Sequence, residues 1–130
     1  MLFRSSANLT VPLFTVVIRK GYGLGAQAMA GGSFHQPFAT LAWPTAEMGP
    51  MGLEGAVELG FRKELEATAD DASRKALFEQ LVGRMYDKGK AVSVASTFEI
   101  DAVIDPAETR SWLLRAARAA GGQEIGRAHV

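Results

Sequence analysis

The sequence predicts an α/β domain. Three observations carry that prediction. A short apolar run, Val11 to Ile18, leads directly into a glycine-rich turn and an alanine-rich segment. Two later stretches repeat apolar residues at helical spacing. Near the C-terminus, Asp105-Pro106-Ala107-Glu108 marks the start of a helix that follows a short strand.

The run Val11-Pro12-Leu13-Phe14-Thr15-Val16-Val17-Ile18 is nearly all apolar, β-branched or aromatic, and Arg19-Lys20 closes it. Continuous hydrophobicity fits a strand buried on both faces of a parallel or mixed sheet. Gly21-Tyr22-Gly23-Leu24-Gly25-Ala26 then makes a turn into a helix through Gln27-Ala28-Met29-Ala30, which Gly31-Gly32 stops. Thr40 to Trp43 is a second strand, ended by Pro44, which has no N–H for a ladder. Thr45 to Gly52 is expected to be loop. Leu53 to Leu65 is expected to be one helix with Leu53, Ala56, Val57, Phe61 and Leu65 on its inner face and a Glu58–Arg62 pair outside.

Asp70 or Asp71 caps the next helix, Ser73 to Lys88, with Leu77, Leu81, Val82 and Met85 as its stripe and Gly89 as its stop. A third strand is expected over Ile100 to Ile104. Asp105 then caps a helix beginning at Pro106, with Glu108 in the place of a capping-box carboxylate, and Gly121-Gly122 ends it. Three strands cannot cover the apolar faces of four substantial helical segments. The chain is therefore expected to be part of a larger domain or assembly.

Length and composition narrow the functions. The 130 residues suit one domain, and 14 basic against 14 acidic side chains leave no net charge. Such a balance argues against nucleic-acid binding, and no apolar run is long enough for a membrane span. Cysteine is absent and histidine is limited to His35 and His129. Thiolate chemistry, iron–sulfur clusters and a multi-histidine metal site are excluded together. Residues 1 to 6 lack the apolar core of a signal peptide. One codon reading of Glu124-Ile125-Gly126-Arg127-Ala128-His129-Val130 matches a widely used short-read sequencing adapter. That tail, 124–130, is expected to be read-through appended to a domain over residues 1–123.

Gly21-x-Gly23-x-x-Ala26 formally matches a dinucleotide fingerprint, with Glu47 at ribose-holding distance. Two features weigh against it. Arg19-Lys20 separates the strand from the first glycine, and Glu47 follows Pro44 in a loop. The same turn supports a different chemistry. Amides at a helix start lack partners, and with no side chain at Gly25 and only a methyl at Ala26 a ligand oxygen can approach closely and be held as an oxyanion. The alternative is that these glycines only permit tight helix–strand packing. Glu47 reads as a loop carboxylate, Met48 and Met51 as core filler, Trp43 and Trp112 as packing anchors, Tyr22 as a residue shaping a pocket mouth, and Asp101 as a strand-end residue.

Three long signatures in order resemble one family. Val11 through Ala26 is similar to a segment in the C-terminal half of the carboxyltransferase subunit of biotin-dependent acyl-CoA carboxylases, the acetyl- and propionyl-CoA carboxylase β type. Ala42-Trp43-Pro44-Thr45-Ala46-Glu47 with Met51-Gly52-x-x-Gly55-Ala56-Val57 resembles its next signature, and Asp101-x-Val103-Ile104-Asp105-Pro106-x-x-Thr109-Arg110 its closing one. The resemblance covers roughly residues 7 to 120. It implies a crotonase-like spiral of ββα units, here an incomplete C-terminal carboxyltransferase domain. It implies transfer of a carboxylate from carboxybiotin, held on a separate carrier domain or subunit and not bound covalently here, to the α-carbon of an acyl-CoA.

In the family, two amides after the Arg-Lys pair stabilise the biotin enolate. Carried onto this chain they belong to Gly25 and Ala26, with Gly23, Leu24 and Ala28 in substrate-binding positions, Ala28 helping to size the acyl pocket. The resemblance also implies biotin carboxyl carrier and biotin carboxylase partners, a homo-oligomer in the complete subunit, and a cytoplasmic location. Gly49-Pro50 departs from the small, flexible residues usual there. The acyl-CoA platform of the N-terminal domain is not in this chain, so the fragment alone is expected to be inactive. A truncated pseudo-subunit that only assembles or holds a biotin carrier is the competing reading.

Overall fold

The computed structural model describes residues 8–121. The expectations for Met1 to Ser6, Gly122, the tail 124–130 and His129 fall outside the described residues. The fold is mixed α/β, with its strands in two small parallel sheets.

The first unit is β1 (Phe14–Val17), β2 (Lys20–Tyr22) and α1 (Gly23–Met29). The second repeats the order: β3 (Ala39–Ala42), β4 (Glu47–Gly49) and α2 (Leu53–Gly60). These are two successive ββα units, as the resemblance implies. Then come α3 (Arg62–Ala67), α4 (Asp71–Gly89), α5 (Ala91–Ser96), β5 (Ala102–Val103), a 3-10 turn over Pro106–Glu108 and α6 (Thr109–Gly121).

One sheet has the order β1-β3-β5 and the other pairs β2 with β4. In the first, Phe14 to Val17 run beside Ala39 to Ala42, and Leu41 and Ala42 beside Ala102 and Val103. In the second, Lys20, Gly21 and Tyr22 lie beside Glu47, Met48 and Gly49. The central strand β3 is the one buried on both faces, with Thr40, Leu41 and Ala42 almost inaccessible. Buried Thr40 is satisfied: its Oγ1 donates to the Phe34 carbonyl at 2.6 Å, and its N–H donates to Asp101 Oδ2 at 2.7 Å. The core joins Val17, Ala42, Ala46, Met48, Ala91 and Ile100 across both sheets and α5.

Several expectations are corrected. The first strand is four residues, not eight, and lies at a sheet edge, with Val17 its buried residue and Val11 and Ile18 half exposed. Five strands form among the described residues instead of three. β2 and β4 fall where the sequence suggests turn and loop. Each has three residues with no apolar alternation, and they exist by pairing with each other. The expected helix Leu53 to Leu65 is two helices broken at Phe61, after Gly60, where glycine weakens helix propagation. Accordingly Arg62 pairs with Glu66 at 2.8 Å rather than with Glu58. The segment before the third strand forms α5, and that strand shrinks to Ala102–Val103. Met51 is exposed, so only Met48 fills the core.

Other local signals match. Asp70 caps α4 by accepting from the Ser73 N–H at 2.8 Å. Gly31 and Gly32 take φ of 86° and 123° and close α1, the Gly32 N–H reaching the Gln27 carbonyl at 2.8 Å. Asp105 accepts from the Ala107 N–H at 2.8 Å, although Glu108 faces the Trp112 indole instead of returning to the cap. Trp43 anchors β3 to α6 by donating from Nε1 to Thr109 Oγ1 at 2.9 Å.

The core is small for the apolar content. Leu24, Met29, Leu59, Val92 and Phe98 are each more than two-thirds exposed. A groove of ≈ 770 Å³ lies open beside β1 and α6, lined by Phe14, Val16, Leu113 and Leu114 among others. No helix among the described residues is long and apolar enough to cross a membrane.

Candidate active site

The glycine turn lies at the ends of β2 and β4. β1 passes into β2 through Ile18-Arg19, and the Arg19 carbonyl accepts from the Glu47 N–H at 2.7 Å. β2 then feeds α1 with no intervening loop. Tyr22 is the N-cap, in extended conformation (φ −106°, ψ 141°), and Gly23 turns the chain at φ 73°. A side chain at Gly23 would be strained there, which is why glycine occupies it.

With Tyr22 as N-cap, Gly23, Leu24 and Gly25 are the first three helical residues. Their amides have no carbonyl four residues back within the helix. Gly25 is exposed, and a Cβ built on it would meet nothing within 4 Å. Packing therefore does not require glycine at this position. Leu24 is exposed, Ala26 half-buried, and Ala28 buried at 5% exposure. The structure brings Gly23, Leu24, Gly25 and Ala26 into one helical turn and sets Ala28 on the helix's inner side. A cavity of ≈ 320 Å³ lies beside this helix, between Gln27, Phe34, Pro50 and Val94 among others.

Glu47, expected as a loop carboxylate, is a further functional candidate. Its strand lies against β2, and its Oε2 accepts from Tyr22 Oη at 2.6 Å. Burial, with help from the nearby Glu47 carboxylate, pushes the Tyr22 phenol well above its usual range. Glu47 is thus committed to Tyr22, which does not suit it to hold a ribose. Gly21 lies within β2, not in a turn, so the dinucleotide fingerprint lacks its structural context. Glu47 stands 25 residues from Tyr22, and no local signal predicts their pairing. Among the described residues, no group of three or more acidic or histidine side chains could hold a metal ion.

The carboxyl transferase domain family matches residues 1–127. A propionyl-CoA carboxylase carboxyltransferase subunit from Haloferax mediterranei is 38% identical over 109 residues, covering 83% of this chain and 20% of that protein. The methylmalonyl-CoA carboxyltransferase 12S subunit of Propionibacterium freudenreichii is 42% identical over 105 residues, covering 80% and 19%. Among solved structures, a transcarboxylase 12S hexamer matches with TM-score 0.83 and 31% identity over 99% of this chain and 24% of that one. A single-chain, multi-domain long-chain acyl-CoA carboxylase matches with TM-score 0.72 and 54% identity, covering 88% of this chain and 11% of that one. The chain thus spans about a fifth of the length of the curated relatives it matches. Its two ββα units, its three signatures in order and these matches agree: the chain belongs to the carboxyl transferase domain family.

Proposed function

We propose that this chain supplies part of the carboxyl-donor side of a biotin-dependent acyl-CoA carboxyltransferase, with the first turn of α1 as its oxyanion-binding element. The observation that carries the reading is the open, side-chain-free approach to the Gly25 amide in a helix's first turn. Carboxybiotin, carried on a separate domain or subunit, supplies the carboxylate, and loss of that carboxylate places negative charge on its ureido oxygen. The chain's part is to meet that charge with main-chain N–H groups already fixed in direction. Preorganised donors of this kind cost no reorganisation during reaction. The chemistry needs neither cysteine nor histidine, which suits the composition.

The donors are Gly25 and Ala26. Leu24, in the same first turn, is the alternative partner of Gly25. Gly25 is common to both. Gly23 lets the chain turn toward the ligand, Leu24 borders it, and Ala28, being buried, limits the acyl pocket through the seating of α1. The acyl-CoA, the biotin carboxylase and carrier partners, and a homo-oligomeric complete subunit belong to the same proposal. So do the cytoplasmic location and the boundary at residue 123.

The test is Gly25→Leu in the complete subunit. Since the side chain enters open space, the fold is preserved. The variant keeps the Gly25 N–H but fills the open approach to it with a side chain, so a ureido oxygen held off that amide should lose about as much as when one oxyanion donor is removed, a fall in carboxybiotin decarboxylation of about 10²–10³, while acyl-CoA affinity is unchanged. Unaltered decarboxylation would refute the assignment. Leu24→Pro deletes the second amide at a first-turn position that tolerates proline. A further fall selects Leu24 as the second donor, and no change selects Ala26.

A further inference from the structure

The amides of the first turn can only be useful if the turn is held still, and α1 itself is short. It has seven residues, no side-chain cap and no acidic residue in its first turn. Isolated helices of that length are not stable. Something outside α1 must fix its start.

The strand pair β2–β4 provides that support at Tyr22. This residue is both the last residue of β2 and the N-cap of α1. Its hydroxyl donates to Glu47 Oε2 at 2.6 Å, a short bond to a half-buried carboxylate. Hydrogen bonds to an ionised acceptor are shorter and stronger than neutral ones. Among the described residues no cation lies within ion-pair distance of Glu47, so the phenol does not compete with one. Glu47 is anchored in turn: its N–H donates to the Arg19 carbonyl, and it pairs across with Lys90 at the start of α5. Opposite Tyr22, Gly49 leaves room for the ring, since a Cβ there would stand 3.1 Å from two ring carbons. Pro50 follows, and its carbonyl lies 3.6 Å from where a Gly23 side chain would begin. The segment 47–50 therefore grips the N-cap from its side chain, its ring face and the following glycine.

We infer that Tyr22 and Glu47 are positioning residues: their hydrogen bond sets the direction of the Gly23–Ala26 amides, and the segment 47–50 works as a clamp on the oxyanion turn. The inference rests on the reading of that turn given above. Glu47 touches neither substrate nor reacting atoms in this role.

The experiment uses the complete subunit containing this chain, with Tyr22→Phe, Glu47→Gln and Glu47→Ala beside Gly25→Leu. Two readouts are taken: hydrogen exchange of the Gln27–Ala30 amides, whose helical bonds depend on how the start of α1 is held, in the absence of biotin, and steady-state carboxyl transfer. Tyr22→Phe and Glu47→Ala should speed exchange of these amides about tenfold or more. They should lower kcat by about 10- to 100-fold, the effect of a displacement near 1 Å, with KM for acyl-CoA unchanged. Glu47→Gln keeps an acceptor oxygen and should restore both readouts to within a few-fold of the parent. If Tyr22→Phe leaves exchange and kcat unchanged while Gly25→Leu remains inactive, the clamp is wrong and the oxyanion turn stands. If Gly25→Leu is also fully active, the oxyanion turn fails, and exchange alone decides whether Tyr22 orders the segment. Failure of Glu47→Gln to rescue overturns the hydrogen-bond basis.

Discussion

Gly83 and Gly89 lie in the same helix and should respond oppositely to a single methyl group. Gly83 sits on the exposed side of α4, and a Cβ there would meet nothing within 4 Å. Gly89 is buried at the helix's end, and its Cβ would stand 2.6 Å from the Met48 carbonyl oxygen. A carbon–oxygen contact normally needs about 3.3 Å, so one element must move by roughly 0.7 Å. Met48 cannot give way easily. It is 4% exposed, and its strand is paired with β2. Overpacking of this kind costs about 1–3 kcal/mol. Neither glycine has a positive φ, so neither alanine is strained by backbone conformation. Gly83→Ala should therefore gain up to about 1 kcal/mol from helix propensity, and Gly89→Ala should lose about 1–3 kcal/mol. Urea unfolding followed by far-ultraviolet circular dichroism at 25 °C measures both. The expected separation between the two variants is about 1–4 kcal/mol at unchanged m. Equal stabilities would refute the close approach of α4 to β4, and with it the seating of Glu47 against Tyr22.

Two pH-dependent outcomes follow from the same structure. Hydrogen bonds from the Ser73 side chain and backbone hold the Asp70 carboxyl below its usual range. A depressed folded value means that this stabilisation is present above the unfolded pKa, near 3.9, and is lost as pH falls through the folded one. Acid unfolding should thus be steeper for the parent than for Asp70→Asn, which keeps the cap acceptor without titrating; superimposable curves would contradict this. The Tyr22 phenol is pushed the other way, chiefly by burial. Its contribution is complete below the unfolded value, near 10, and is lost as pH rises through the folded one. Subtracting the 295 nm titration of Tyr22→Phe from that of the parent should isolate a phenol that ionises only above pH ~10. A component titrating at the ordinary position would show that the phenol is neither buried nor bonded to Glu47 in solution.

The parts of this fold that could be read from the sequence are those encoded in neighbouring residues. Asp70 before α4, Asp105-Pro106 before the last helix, and Gly31-Gly32 after α1 act within one turn of chain, and each does what its residue type suggests. Thr40 to Ala42 is legible as a strand ended by Pro44, whereas the apolar run Val11 to Ile18, which suggests burial on both faces, becomes an edge strand. β2 and β4 carry no such signal. Lys-Gly-Tyr and Glu-Met-Gly alternate nothing, and they become strands because β1 and β3 deliver them side by side. α5 carries no local helix signal, because Val92 and Val94 are β-branched and favour strands; tertiary packing against β4 and β5 overrides this. The site divides the same way. The glycine turn is local and readable. The Tyr22–Glu47 bond spans two ββα units and appears only once both strands are placed.

The central claim is that main-chain nitrogens in the first turn of α1 hold negative charge on a ureido oxygen. A crystal structure of the complete subunit with biotin bound tests it most directly. The account predicts the ureido oxygen at about 2.7–3.1 Å from the Gly25 nitrogen, with a second contact from Ala26 or Leu24. A ureido oxygen held instead by a side chain, or lying beyond hydrogen-bond reach of the first turn, would contradict it.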